Sequence, residues 1–367
     1  ALPQPPLVFV GGPHAEVVPE HFRDTSIDAV FVAEALKAIV EVADCVACGR
    51  DYRKVPGIIA GAGDGVPASP GRPTDAASLP IPQRRLLERH AHRYRFMHYV
   101  PCATIKTALG CPGQCTFCFC RELNGRRYSA RPLAGVIEEI KTIAVDTLYI
   151  ADDNFFVYPE RVREFCGLIR SHGIRKEFIA YATADAVARN ADLVRAFRDA
   201  GLVGLIIGFE FASDAELSSV GKAATMDDND RAIQVCADLG LDLFALFMVN
   251  PDSTRSECRR LASYVKSRDV GFVTFSTFVA LPGTTLHSTS PRDAALPFWR
   301  YDLLRVTRKP LHMSTMEYYA RFCWLYLMPG HHRRAFMRIA RRKGVFRAIE
   351  TVLTSWRVGL QYVIKLL

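Results

Sequence analysis

Long apolar runs are missing from this 367-residue chain. None approaches the ~18–20 residues that a membrane-spanning helix needs. A basic, cleavable leader is missing too: the chain opens Ala1-Leu2-Pro3. Its first residue is not Met, which predicts a fragment or a processed form. No internal repeat and no low-complexity segment occurs, so a solenoid or a compositional spacer is excluded. Eleven cysteines are too few for a disulfide scaffold at this length. They cluster, and clustering points to metal in a reducing compartment. What remains is ordinary for a globular protein, with 49 % apolar and 23 % charged residues, and the length suits about two domains.

An excess of charge of one sign is missing from the body and concentrated at the end. The net charge is +9, and residues 331–367 hold nine Lys/Arg against the single acid Glu350, hence +8 of it. Within that tail Arg334, Arg338, Arg341, Arg342 and Lys343 precede an apolar helical stripe of Val345, Ile349, Val352/Leu353, Trp356, Leu360, Val363/Ile364 and Leu367. A basic amphipathic helix of this kind can lie on an anionic bilayer. The alternative is a tail packed on the body with its arginines in water.

The middle of the chain alternates between two periods. Short β-branched runs predict strands at Ala103–Ala108, Thr147–Asp152, Phe178–Tyr181, Val203–Phe209, Leu243–Val249 and Val273–Val279. Helical spacing predicts Leu133–Ile143, Val162–Ile169, Leu193–Phe197 and Asn229–Leu239 between them, and Ser314–Leu327 after them. Six strands joined by helical crossovers make a parallel sheet, here a partial (β/α)6, TIM-like barrel in an α/β chain. Two short βα units, Leu7–Val10 and Ala29–Val32, precede it as a truncated Rossmann-like segment, and the Pro/Gly-rich Val55–Pro82 reads as linker. The expected organisation is 1–46 for the partial βα segment, 47–100 for the linker, 101–290 for the barrel and 291–367 for a helical C-terminal region. Pro329-Gly330 should break the chain before the basic tail.

The strongest chemical signal follows the first barrel strand: Gly110-Cys111-Pro112-Gly113-Gln114-Cys115-Thr116-Phe117-Cys118. Three thiols at Cys-x3-Cys-x2-Cys spacing can wrap one face of a [4Fe–4S] cluster and leave one iron open. A zinc knuckle or free thiols are the bland readings. Zinc usually wants a second Cys/His pair, which does not follow here, and Cys120 stands too near Cys118 for a fourth ligand to one ion.

This loop resembles the signature of the radical S-adenosylmethionine (SAM) superfamily. The resemblance implies that Cys111, Cys115 and Cys118 hold the cluster and that SAM chelates the open iron. One electron then cleaves SAM to methionine and a 5′-deoxyadenosyl radical. It implies Phe117 beside the adenine, and at the end of the second strand Asp152, Asp153 and Asn154 facing the SAM ammonium; a helix cap is the alternative. Thr183, ending the third strand, stands where relatives often carry an Arg for the SAM carboxylate. Gly208 and Glu210, with Lys222 beyond, look like a Gly-x-Glu…Lys segment whose Glu lines the SAM site; a structural ion pair would use the same residues. Asn250-Pro251-Asp252 and Leu281-Pro282-Gly283-Thr284 match the pattern at the last two strands.

The turn Val8-Phe9-Val10-Gly11-Gly12-Pro13-His14 is similar to part of a cobalamin-binding domain, and Ser78–Leu87 to the linker of the cobalamin-dependent branch. Ala33-Glu34-Ala35-Leu36 departs from that branch's turn, and so short a domain predicts weak cobalamin binding by this chain alone. Tyr301-Asp302, Thr307–Leu311, Tyr318-Tyr319 and Leu325-Tyr326 are similar to the region after the barrel in hopanoid C-3 methylases. The resemblance therefore implies a methyl transfer through cobalamin to a lipid or other small molecule, with an electron donor of the flavodoxin or ferredoxin kind. The clustered, reduced thiols predict a cytoplasmic protein, and where the tail 331–367 lies on lipid rather than on the body it would make the protein peripheral on the inner membrane face. Two rivals stay open. A radical SAM enzyme acting on RNA would use the tail for phosphates, but the further cysteines and small β-barrel usual there are missing. A non-catalytic Fe–S or zinc protein leaves the strand-end acids unexplained.

Overall fold

The computed structural model describes residues 6–24, 26–32, 35–61, 74–268, 270–290 and 296–366. The N-terminal unit contains β1 (Phe9–Val10), α1 (Pro13–Val17), β2 (Ala29–Phe31), α2 (Ala35–Ala47) and β3 (Ile58–Ala60). β1 and β2 run parallel, as the two βα units predict. β3 is antiparallel to β2 and lies inside the stretch read as linker. Its three apolar residues supply the strand that completes a small sheet, with Ala15 and Phe22 packed on one face and Val42 and Cys45 on the other. Ala33-Glu34 of the expected turn and residues 62–73 of the linker lie outside the described residues. The rest of the linker is fastened to the barrel. Ala76 donates its N–H to Ser129, and Arg84 pairs with the buried Glu139.

The barrel begins with β4 (Cys102–Ile105), a two-strand ribbon of β5 (Ala108–Leu109) and β6 (Ser129–Ala130), and α3 (Leu133–Thr142). It continues through β7 (Thr147–Ile150), α4 (Pro159–Ser171), β8 (Glu177–Thr183), α5 (Ala184–Arg189), α6 (Ala191–Asp199) and β9 (Leu202–Glu210). Then follow α7 (Asp214–Ser219), α8 (Met226–Asp238), β10 (Asp242–Val249), α9 (Arg255–Ser267), β11 (Phe272–Thr277) and α10 (Thr285–Thr289). The six-stranded sheet has the order β11-β10-β9-β8-β7-β4, and every pair in it is parallel. This is the partial (β/α)6 barrel that the six periodic runs predict. Strand alternation divides the side chains: Leu205, Ile207 and Phe209 pack outward with the helices, while Ile206 turns inward. Capping boxes at Thr225/Asp228 and Thr254/Glu257 fix the starts of α8 and α9.

The C-terminal region is α11 (Thr315–Leu327), α12 (Pro329–Lys343) and α13 (Val345–Leu366). The expected break before the tail is present, but Pro329 starts α12, where its missing N–H costs nothing. A second break falls at Gly344, whose φ of +90° ends α12. α12 closes the floor of the barrel. Ile339 and Ala348 join Tyr99, Ile179, Ile206, Phe244 and Phe272 in one buried cluster. Three of the five arginines of α12 are therefore not simply in water. Arg334 donates to the carbonyls of Lys266 and Arg268, Arg338 to Leu241, and Arg342 to Val203 and Gly240, while Lys343 pairs with Glu177. Several of these carbonyls lie just past the C-termini of α8 and α9, where cations are favoured.

Candidate functional site

β4 sends the chain out over the barrel mouth, and the β5–β6 ribbon brings it back. Between them runs the cysteine loop. Gly110 opens it at φ +78°, and a Cβ there would lie 2.1 Å from the Arg127 carbonyl oxygen, so only glycine fits. The loop is stitched to the segments that follow two other strands, the end of α7 and the start of α10. Thr116 donates its N–H to Val220 O at 2.9 Å, and Leu286 donates to Thr116 O at 2.9 Å. Gly221 passes so close that a Cβ would meet Gln114 O at 2.7 Å. These contacts were not legible in the sequence; only the positive-φ glycines flanking them carry a local signal.

Cys111, Cys115 and Cys118 are all partly buried. Burial pushes the Cys111 thiol up, and pushes Cys115 up to about 11 against the nearby charge of Lys222. Cys118 is held below the usual thiol value, chiefly by a hydrogen bond from the Cys120 thiol. Among the described residues no three His, Cys, Asp or Glu side chains converge as a single metal ion needs. Three soft donors spread along one loop fit a polynuclear iron–sulfur cluster, in which each thiolate binds its own iron.

The two aspartates after β7 have different occupations. Asp152 is buried and takes hydrogen bonds from Thr107 N at 2.6 Å, Thr107 Oγ1 at 2.5 Å and Ala108 N at 3.0 Å. Burial pushes its pKa up, and the bonds from Thr107 and Ala108 oppose that. Its carboxylate is thus spent on the backbone that leads into the cysteine loop, a departure from the expected contact with an ammonium. Asp153 is less enclosed. Its Oδ2 accepts from Gly110 N at 3.0 Å and its Oδ1 lies 3.4 Å from Lys106 Nζ. Asn154 is buried and accepts from Phe156 N at 3.0 Å, so it shapes a turn rather than facing the mouth.

Glu210 ends β9 at φ +62°, a strained conformation for a residue with a side chain. Its Oε1 lies 2.8 Å from Lys222 Nζ, and the two side chains are only 12 % and 9 % exposed. Gly208 makes room for the pair, since a Cβ there would lie 2.1 Å from Glu210 Oε1. The ion pair of the structural reading is present, and the turn that carries Lys222 lies against the loop. Phe117 packs edge-on to Phe278 among Phe211, Leu217 and Val220. Thr183 is half-buried at the end of β8 and precedes α5 without capping it through its side chain. The fold thus brings the three thiols, Phe117, Asp153, Gly208 and Glu210 to one end of the barrel, and places Asp152 and Asn154 beneath.

A profile of the radical SAM superfamily matches residues 105–265. The chain is 26 % identical over 317 residues to hopanoid C-3 methylase of Methylococcus capsulatus, covering 85 % of this chain and 60 % of that protein. It is also 26 % identical over 348 residues to anaerobic magnesium-protoporphyrin IX monomethyl ester cyclase of Rubrivivax gelatinosus, covering 91 % and 61 %. The chain therefore spans about three fifths of the length of these relatives. Among solved structures, the radical SAM methyltransferase TsrM of Kitasatospora setae, with cobalamin and a [4Fe–4S] cluster bound, superposes with a TM-score of 0.60 at 21 % identity, over 86 % of this chain and 64 % of that one. The cobalamin-dependent radical SAM enzyme OxsB gives 0.62 at 17 %, over 86 % and 48 %. These likenesses show a shared fold. The match to the radical SAM superfamily falls on the segment that carries the thiol loop and, from the end of β4 to β10, five of the six barrel strands.

Proposed function

We propose that this chain is the radical-generating part of a C-methyltransferase that uses a [4Fe–4S] cluster, SAM and cobalamin on an apolar, hopanoid-like lipid. The observation that carries the first step is the three-thiol loop, bonded through Gly110 to Asp153 and lying against the turn whose Lys222 pairs with Glu210. Cys111, Cys115 and Cys118 would hold the cluster. When bound, the cluster supplies one electron, and with SAM a carbon radical able to take a hydrogen atom from an unactivated C–H bond. Asp153, the less enclosed of the two aspartates, is the carboxylate for the SAM ammonium, and Glu210 supports the same cofactor. Phe117 and its apolar neighbours give a surface on which an adenine can lie.

The cobalamin and lipid parts rest on the likeness to named methyltransferases and on the N-terminal unit. α1 packs on the barrel rim, where Val17 fills the space that a Gly283 side chain would need. His14 stacks on Phe298, with ring centroids 3.3 Å apart, and its Nε2 lies 3.0 Å from His21 Nδ1. Gly12, at φ +108° with open space above it, leaves room for a nucleotide tail.

The test is anaerobic reconstitution. The chain should take up about four irons and form 5′-deoxyadenosine from SAM under a strong reductant, without added lipid. Replacing any one of Cys111, Cys115 or Cys118 with Ala should abolish both. Loss of the cluster in Cys120→Ala as complete as in Cys115→Ala would overturn the ligand assignment.

A further inference from the structure

We propose that the buried Lys222 ammonium, seated by Glu210 under the cysteine loop, raises the electron affinity of the cluster held by Cys111, Cys115 and Cys118. The inference rests on the cluster reading above and adds a role that the thiol motif does not contain. The turn Val220-Gly221-Lys222 meets the loop on both sides of Cys115: Thr116 N donates to Val220 O at 2.9 Å, and Gly221 packs so close to Gln114 that a Cβ would lie 2.7 Å from its carbonyl oxygen. Lys222 has 9 % of its side chain exposed, so water screens its charge little. The position is built with care: Gly208 lacks the Cβ that would collide with Glu210 Oε1 and crowd Lys222 Nζ, and Glu210 adopts a left-handed backbone to reach the ammonium. Burial opposes the charge of Lys222, and the Glu210 carboxylate beside it favours that charge.

Three thiolates on a cluster carry net negative charge, and adding one electron from an external low-potential donor increases it. A fixed cation nearby favours the reduced form, and a fixed anion opposes it. Lys222 and Glu210 therefore act on the potential with opposite sign. Neither touches the reacting atoms in this role; Lys222 is an electrostatic positioning residue.

The experiment is an anaerobic redox titration of the reconstituted full chain without SAM, followed by the electron paramagnetic signal of the reduced cluster, with iron counted in parallel. Lys222→Met should shift the one-electron equilibrium at least about tenfold toward the oxidised form, a potential lower by ~59 mV. Lys222→Arg should titrate like the parent. Glu210→Gln should shift the other way. An unchanged midpoint in Lys222→Met with full iron overturns the proposal, as does a shift of the same sign in Lys222→Met and Glu210→Gln. If Lys222→Met does not fold, Glu210→Gln decides: a higher potential supports the proposal, and an equal or lower one overturns it. A parent chain that takes up no iron fails the cluster reading instead, and iron content separates that failure from this one.

Discussion

Asp152 and Asp153 differ by one position and by nearly everything else. Asp152 gathers three donors from Thr107 and Ala108, whereas Asp153 reaches only Gly110 N and Lys106. Removing the acceptor in Asp152→Ala leaves buried donors unpaired, at about 1–3 kcal/mol for each orphaned group. That variant should melt earlier and retain less iron after reconstitution, measured by thermal unfolding and iron assay. Asp153→Asn should keep its iron and lose SAM affinity by ~10–150-fold, the worth of a charge-assisted bond, measured by equilibrium dialysis. A variant of Asp152 with normal iron and weakened SAM binding would restore the two aspartates to equal roles. The sequence marks a pair of acids at the end of a strand, but adjacent residues point to different surroundings, and what each meets is set by Thr107 and Gly110, more than forty positions away. The cysteine motif was legible because its three members are local. Glu210 and Lys222 were legible as a pair but not as neighbours of Cys115, since that contact is made through the backbone of Val220 and Gly221.

The six barrel strands were legible because each is an apolar run of strand length buried between helices and barrel interior, and nearly all begin or end within two or three residues of the expected positions. β3 was not: Ile58–Ala60 is three residues in a Gly/Pro-rich stretch, and it becomes a strand by pairing with Ala29–Phe31. α12 was legible as a basic helix but not as the floor of the barrel, because its partners are carbonyl groups, which sequence does not label. At that floor Asp242 accepts from Tyr99 Oη at 2.6 Å, stands 3.0 Å from His98 Nε2 and lies 3.5 Å from Arg342. Burial opposes its charge, yet the bonds from His98 and Tyr99 and the charge of Arg342 hold its carboxyl below the ordinary 3.8. A carboxylate with a folded pKa below its unfolded one stabilises the fold above the unfolded value, and that stabilisation is lost as pH falls through the folded value. The thermal midpoint should therefore drop as pH falls below about 4, and Asp242→Asn, already lacking the charge, should show a smaller drop. An equal drop in both proteins would remove Asp242 from the account. Deleting residues 329–367 exposes Tyr99, Phe244 and Phe272 together, and the truncated chain should not accumulate as a folded protein.

The placement of charge over the whole molecule decides how it would meet a bilayer. No helix among the described residues is long and apolar enough to cross a membrane. Of the nine cations in 331–367, at least five are engaged within the protein: Arg334, Arg338, Arg342 and Lys343 on the barrel, and Arg347 with Glu350. The arithmetic of +8 therefore overstates the charge available to anionic lipid. Among the described side chains α13 also presents apolar ones: Phe346 is 91 % and Leu353 60 % exposed, with Val345 and Ile349 also exposed. If the chain works on a lipid at a membrane surface, α13 should enter the interface by these residues, with the floor of the barrel facing the bilayer and the thiol loop at the opposite end. Attachment would then depend on apolar burial, about 1.5–3 kcal/mol for each large side chain, rather than on long-range attraction. Co-sedimentation with anionic vesicles should change little as salt rises and the Debye length falls from ~10 Å to ~3 Å. Phe346→Glu and Leu353→Glu should each weaken it by ~10–150-fold, and neither should alter deoxyadenosine formation. Binding that collapses with salt in the parent chain would return the role to the basic residues of α12, and would require them to leave the carbonyl groups they now hold.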